Sequence, residues 1–91
     1  MANVITGRQW TLDTPAPGVV VYDHEVYVKF IEFANYINAG DVVVVQDRNT
    51  RVVWTAVGAT DFSEVRSGDI GWVDGVILNA LTSGVCRVYI K

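Results

Sequence analysis

Hydrophobic positions along this chain fall in short, valine-rich runs at 19–21, 42–45 and 52–53, and at Val85, Val88 and Ile90, with Gly, Asn, Asp and Ser clusters between them. Branched Cβ atoms crowd a helix but pack well on a pleated surface, so such runs predict strands. Strands are expected over 4–12, 19–22, 26–35, 42–46, 51–57, 70–73, 76–81 and 85–91. Residues 61–65 suit either a short strand or one helical turn capped by Asp61, with Glu64 at the third position. Within 26–35 the alternation changes phase: Val26, Val28 and Phe30 share one face, and Ile31 and Phe33 the other. A one-residue slip of this kind is the signature of a β-bulge.

The connections carry their own signals. Asp13, Thr14, Pro15, Ala16, Pro17 and Gly18 form an irregular link, since two prolines remove ladder donors. Asp47, Arg48, Asn49 and Thr50 join two valine runs as a hairpin loop. Asn38, Ala39, Gly40 and Asp41 form a turn, and Asp74-Gly75 marks either a tight turn or a bulge. In the last run Cys86, Val88 and Ile90 face one way and Arg87, Tyr89 and Lys91 the other. The unbroken 42–45 run predicts a strand covered on both faces, by its own domain or by a neighbour on one side. A strand reaching the last residue is expected to lie against the first strand or another subunit. Together these elements predict one all-β domain over 1–91, a small antiparallel β-sandwich or barrel of seven to eight short strands.

Composition sharpens this picture. A chain of 91 residues buries a small core, and burial in chains this short barely offsets the conformational entropy lost on folding. Cys86 has no disulfide mate and no zinc-type Cys/His set exists, so oligomerisation is the expected supplement. A hydrophobic share of 51% against 19% charged residues agrees with a surface that is partly covered by copies or partners. The net charge of −3, with seven dispersed basic residues, argues against nucleic-acid or anionic-membrane binding. No 18-residue apolar window predicts a membrane span, and Met1, Ala2, Asn3 and Val4 lack the features of a secretory signal. Folding in a reducing cytoplasm is expected, with Cys86 a buried thiol.

Few residues suggest chemistry. Asp23, His24 and Glu25 form a polar triplet, but in an extended segment the two acids point opposite to the histidine, and a solvated loop is the simpler account. His24 is the sole histidine, which leaves hydrolytic triads and zinc catalysis without a second partner. Asp61, Glu64, Asp69 and Asp74 match no calcium-loop spacing. The chain is therefore expected to be no enzyme and to need no cofactor or metal. The aromatic set of Trp10, Trp54, Trp72, Tyr22, Tyr27, Tyr36 and Tyr89 divides between core filling, protein contacts and sugar stacking. Trp54, in mid-strand, is the core candidate; Trp10, Trp72 and Tyr89 are the interface candidates.

Several strings in order resemble a loose family of small uncharacterised proteins found among the structural genes of tailed bacteriophages. They are Trp10-Thr11-Leu12-Asp13-Thr14, Ala39-Gly40-Asp41 before a valine strand, Val52-Val53-Trp54, Gly75-Val76-Ile77-Leu78 after Trp72, and Ser83-Gly84-Val85 leading into Val88-Tyr89-Ile90. The resemblance spans nearly the whole chain. It implies a virion component, a head decoration or cement protein that binds the major capsid protein or another virion protein as a homo-oligomer, with a trimer favoured. A receptor- or carbohydrate-binding module of a tail or fibre is the alternative, and it expects coplanar tryptophans on an exposed face.

Overall fold

The computed structural model describes residues 3, 5, 7–16, 18–34, 36–38, 40–58 and 64–91. Seven antiparallel strands form one curled sheet, a half-barrel, and no helix occurs among the described residues. The strands are β1 (Gln9–Leu12), β2 (Tyr22–Ala34), β3 (Val42–Gln46), β4 (Val52–Val57), β5 (Glu64–Arg66), β6 (Gly71–Leu81) and β7 (Val85–Ile90). Their order is β1-β7-β2-β6-β3-β4, and β5 joins β2 beside this path. The all-β expectation holds.

Curling is done by the two long strands. β6 pairs with β2 as far as Val76, then with β3 from Ile77 onward, so one strand serves both halves of the sheet. β2 pairs with β6 through its first half and with β7 through its second, and its last residues also take β5 on the other edge. Strands that change partner midway must bend, and register slips allow it. One slip falls between Val28 and Phe30 of β2, inside the stretch where the alternation changes phase. Its effect is to return Ile31 and Phe33 to the inner face with Val26 and Val28, leaving Phe30 outside.

The two longest strands run through breaks that the sequence pattern predicts. β2 takes in Tyr22 and the 26–35 segment, with Asn35 outside the described residues, while Val19, Val20 and Val21 of the predicted 19–22 strand are not strand; 70–73 and 76–81 merge into β6, which starts at Gly71. The polar breaks that suggested loops face each other: Glu25 lies opposite Asp74, and the register slips between Tyr22 and Glu25. Gly75 makes this possible. Its φ is +86°, and a Cβ there would stand 2.9 Å from Arg48 Cβ and 3.0 Å from the Tyr22 carbonyl oxygen, so the β3–β4 loop can lie directly on β6. The Arg48 N–H donates to the Asp74 carbonyl at 2.9 Å, which fixes that contact.

β1 is shorter than predicted, with Gly7 and Arg8 in a turn and Val4 and Thr6 outside the described residues. Glu64 and Val65 are strand; Asp61, Phe62 and Ser63 lie outside the description. The β3–β4 hairpin forms as expected, its loop held by the Asp47 carboxylate, which accepts from the Asn49 and Arg51 N–H groups. Asp41 ties two other turns together: its carboxylate accepts from the Ser83 hydroxyl and the Asn38 N–H, and these bonds hold it below the usual carboxylate range.

The core fills the concave side. Leu12, Val28, Ile31, Phe33, Val43, Val45, Val76, Leu78, Cys86 and Val88 are buried there, drawn from five of the seven strands by simple in-out alternation. Cys86 and Val88 face this core as predicted, and Ile90 packs against it from a half-buried position.

Candidate interaction face

The convex face of β6, β2 and β7 carries the side chains left over once alternation has filled the core. Tyr27 and Trp72 are register partners on β2 and β6, and their rings meet edge to face, 5.5 Å apart at 88°. Phe30 and Tyr89 are register partners on β2 and β7, stacked at 4.3 Å. Cross-strand aromatic pairs of this kind stabilise a sheet while presenting a firm surface. The Lys91 ammonium sits 5.3 Å from the Tyr27 ring centre, and the Arg66 guanidinium 5.5 Å from that of Phe30. Between them Tyr27, Lys29, Phe30, Asp69 and Lys91 line an open groove of about 430 Å³.

Beyond Phe30, the same face holds Glu32 between two arginines. Its carboxylate accepts from Arg66 Nε at 2.9 Å and Arg87 Nη1 at 2.8 Å, and the side chain is only 2% exposed. Register explains the meeting, because Glu32 lies opposite Arg87 on one side and Arg66 on the other. At the opposite end of the face, Asp74 accepts from Arg48 Nε at 2.9 Å, and Asp23 stands 3.5 Å from the same guanidinium.

The three interface candidates part company here. Trp72 is 68% exposed and dominates the face. Tyr89 is half-buried beneath Phe30 on the same face. Trp10 is a correction: it is 2% exposed, inside the core, with its ring 4.6 Å from Tyr22. Its loop neighbourhood misled, because pairing opposite Val88 carries β1 across the mouth of the core and turns Trp10 inward with Leu12. Trp54, the core candidate, packs against the core from a half-buried position.

Nothing in the sequence pattern points to Phe30, Glu32 or Arg66 as surface partners, although Tyr27 stands in the aromatic set and Arg87, Tyr89 and Lys91 in the outward-facing one. The missing signal is long-range: only the pairing of β2 with β5, β6 and β7 gathers four of the dispersed basic residues on one surface.

Elsewhere the described residues offer little reactive chemistry. No three His, Cys, Asp or Glu side chains among them stand close enough to hold a metal ion. Asp23, His24 and Glu25 lie within β2 and are all exposed. Cys86 is fully buried, and burial pushes its thiol up to about 12. The thiolate fraction at neutral pH is then negligible, so Cys86 is expected to resist iodoacetamide in the folded protein and to react at the free-thiol rate in strong denaturant. Rapid labelling under native conditions, read by mass, would show the core to be open there.

No family model matches the chain, and neither a curated protein nor a solved structure does.

Proposed function

We propose that the chain is a non-enzymatic structural protein of a virion that decorates or cements a tailed-phage head, acting as a homo-oligomer through the convex face of β6, β2 and β7. The observation that carries this reading is Trp72, 68% exposed at the centre of an aromatic and cationic surface on a small β-domain. A large indole held in water by a rigid strand, flanked by Tyr27, is the composition of a contact hot spot. The family resemblance supplies the virion context. Such a protein stabilises a shell by mass action: binding only the assembled state shifts the equilibrium away from disassembly.

The rings do not favour sugar stacking. Tyr27 and Trp72 are perpendicular, and Phe30 and Tyr89 cover each other, so no two of them offer one flat exposed platform.

The test is co-sedimentation of the purified chain with undecorated heads of the virus whose genome carries its gene. Saturable binding at a fixed ratio to the major capsid protein is expected. Trp72→Ala should weaken that binding by about tenfold or more, the scale of a hot-spot indole, while leaving the melting temperature within a few degrees. Heads that pellet without the chain at any concentration overturn the reading.

A further inference from the structure

Along the convex face the charges are sorted. Asp23, Glu25 and Asp74 gather at one end against Arg48 alone, which leaves that end net negative. Lys29, Arg66 and Arg87 gather at the other against Glu32 and Asp69, which leaves it net positive, and Lys91 stands beside Tyr27 next to that end. Tyr27 and Trp72 lie between the two ends. Glu25, Tyr27 and Lys29 follow one another at two-residue steps, so the acid and the ammonium stand on opposite sides of the ring, each about 7 Å away along the strand.

We infer that the occupant of this face is a second copy of the chain, related by a two-fold axis passing beside Tyr27 and Trp72. The inference rests on the reading of this face as a docking surface and names its partner. Rotation by half a turn about that axis lays the acidic end of each copy on the basic end of the other. Glu25 of one copy comes opposite Lys29 of the second with Lys91 beside that contact, twice over, and the two indoles meet at the centre. Self-complementarity of this kind is what an isologous interface requires: each patch is its own partner when turned round. An apolar centre with a charged rim is also the usual anatomy of a stable protein contact. A foreign acidic surface would match the basic end but set like charges against Glu25 and Asp23, so the second copy fits both ends where that partner fits one. The pair is two-fold, which departs from the trimer that the family resemblance implies.

Sedimentation equilibrium of the full chain at low ionic strength tests this with two charge-reversed variants. Wild type is expected at twice the chain mass. Glu25→Lys alone, and Lys29→Glu combined with Lys91→Glu alone, should each weaken pairing on the order of tenfold or more, because every rim contact then opposes like charges. Mixed in equal amounts, the two variants should recover twice the chain mass, since each supplies the charge the other lacks. The substituted side chains are at the surface, and far-ultraviolet circular dichroism checks that both variants fold. A wild-type mass equal to one or three chains, or a mixture that stays at one chain mass, overturns the two-fold pair. A chain that is monomeric yet sediments with heads would end this inference and the homo-oligomer with it, and keep only head binding; a pair that ignores heads would keep this inference and end the virion reading.

Discussion

Phe33→Ala is expected to lower the unfolding free energy by about 4 kcal/mol, the cost of deleting a wholly buried aromatic ring and leaving a cavity behind. Phe33 has no exposed surface and packs against Tyr36 with ring centres 4.9 Å apart. What makes the site costly is that it cannot collapse. Phe33 lies opposite Cys86 on β7 and opposite Val65 on β5, so strands on both edges hold the β2 backbone in place around the vacated volume. Domains of this size have only about 5 to 15 kcal/mol of stability in total, so the variant would sit close to its unfolding threshold at room temperature. Urea unfolding followed by tryptophan fluorescence should show a much lower midpoint with an unchanged slope, and Phe33→Leu should recover most of the difference. A loss below 1 kcal/mol would mean that the β2–β5–β7 junction is looser than its pairing indicates.

Local pattern carries the strands of this protein, and long-range pairing carries its surface. The valine runs, the β3–β4 hairpin, the slip in β2 and the inward set of Cys86 and Val88 all follow from side-chain shape and period two, which are properties of neighbouring residues. The lengths of β2 and β6 do not. Polar residues at 23–25 and 74–75 read as interruptions, yet they form a matched, solvated part of the same ladder, and what joins them is Gly75 yielding room to Arg48 from a loop far along the chain. Trp10 was misplaced for the same reason, since nothing near it in sequence says that β1 will pair with β7. The sorted charges of the convex face are the extreme case. Lys29, Arg66, Arg87 and Lys91 look dispersed in the chain, and a register spanning β2, β5, β6 and β7 makes them neighbours. Because register is set by which face each strand buries, a core chosen for packing also determines where every outward charge falls.

That dependence makes Glu32 the residue where fold and surface meet. Glu32→Ala is expected to cost about 3 kcal/mol, near the lower end of what removing one member of a buried ion cluster costs. The carboxylate joins Arg66 of β5 and Arg87 of β7 to β2, at 2.9 and 2.8 Å. Without it two guanidiniums face each other across an apolar strand. Arg66, 56% exposed, can turn to solvent; Arg87, 28% exposed, recovers less hydration and accounts for most of the penalty. The sign can be separated from simple loss of packing by a second change. If the cost comes from stranded charge, Glu32→Leu combined with Arg87→Leu should be more stable than Glu32→Leu alone, because an apolar pair needs no counterion. Urea midpoints for the two single variants and the double variant close the cycle. A double variant no better than Glu32→Leu would show that the carboxylate matters for its shape, and that the charge on this end of the convex face is free to change without disturbing the strands beneath it.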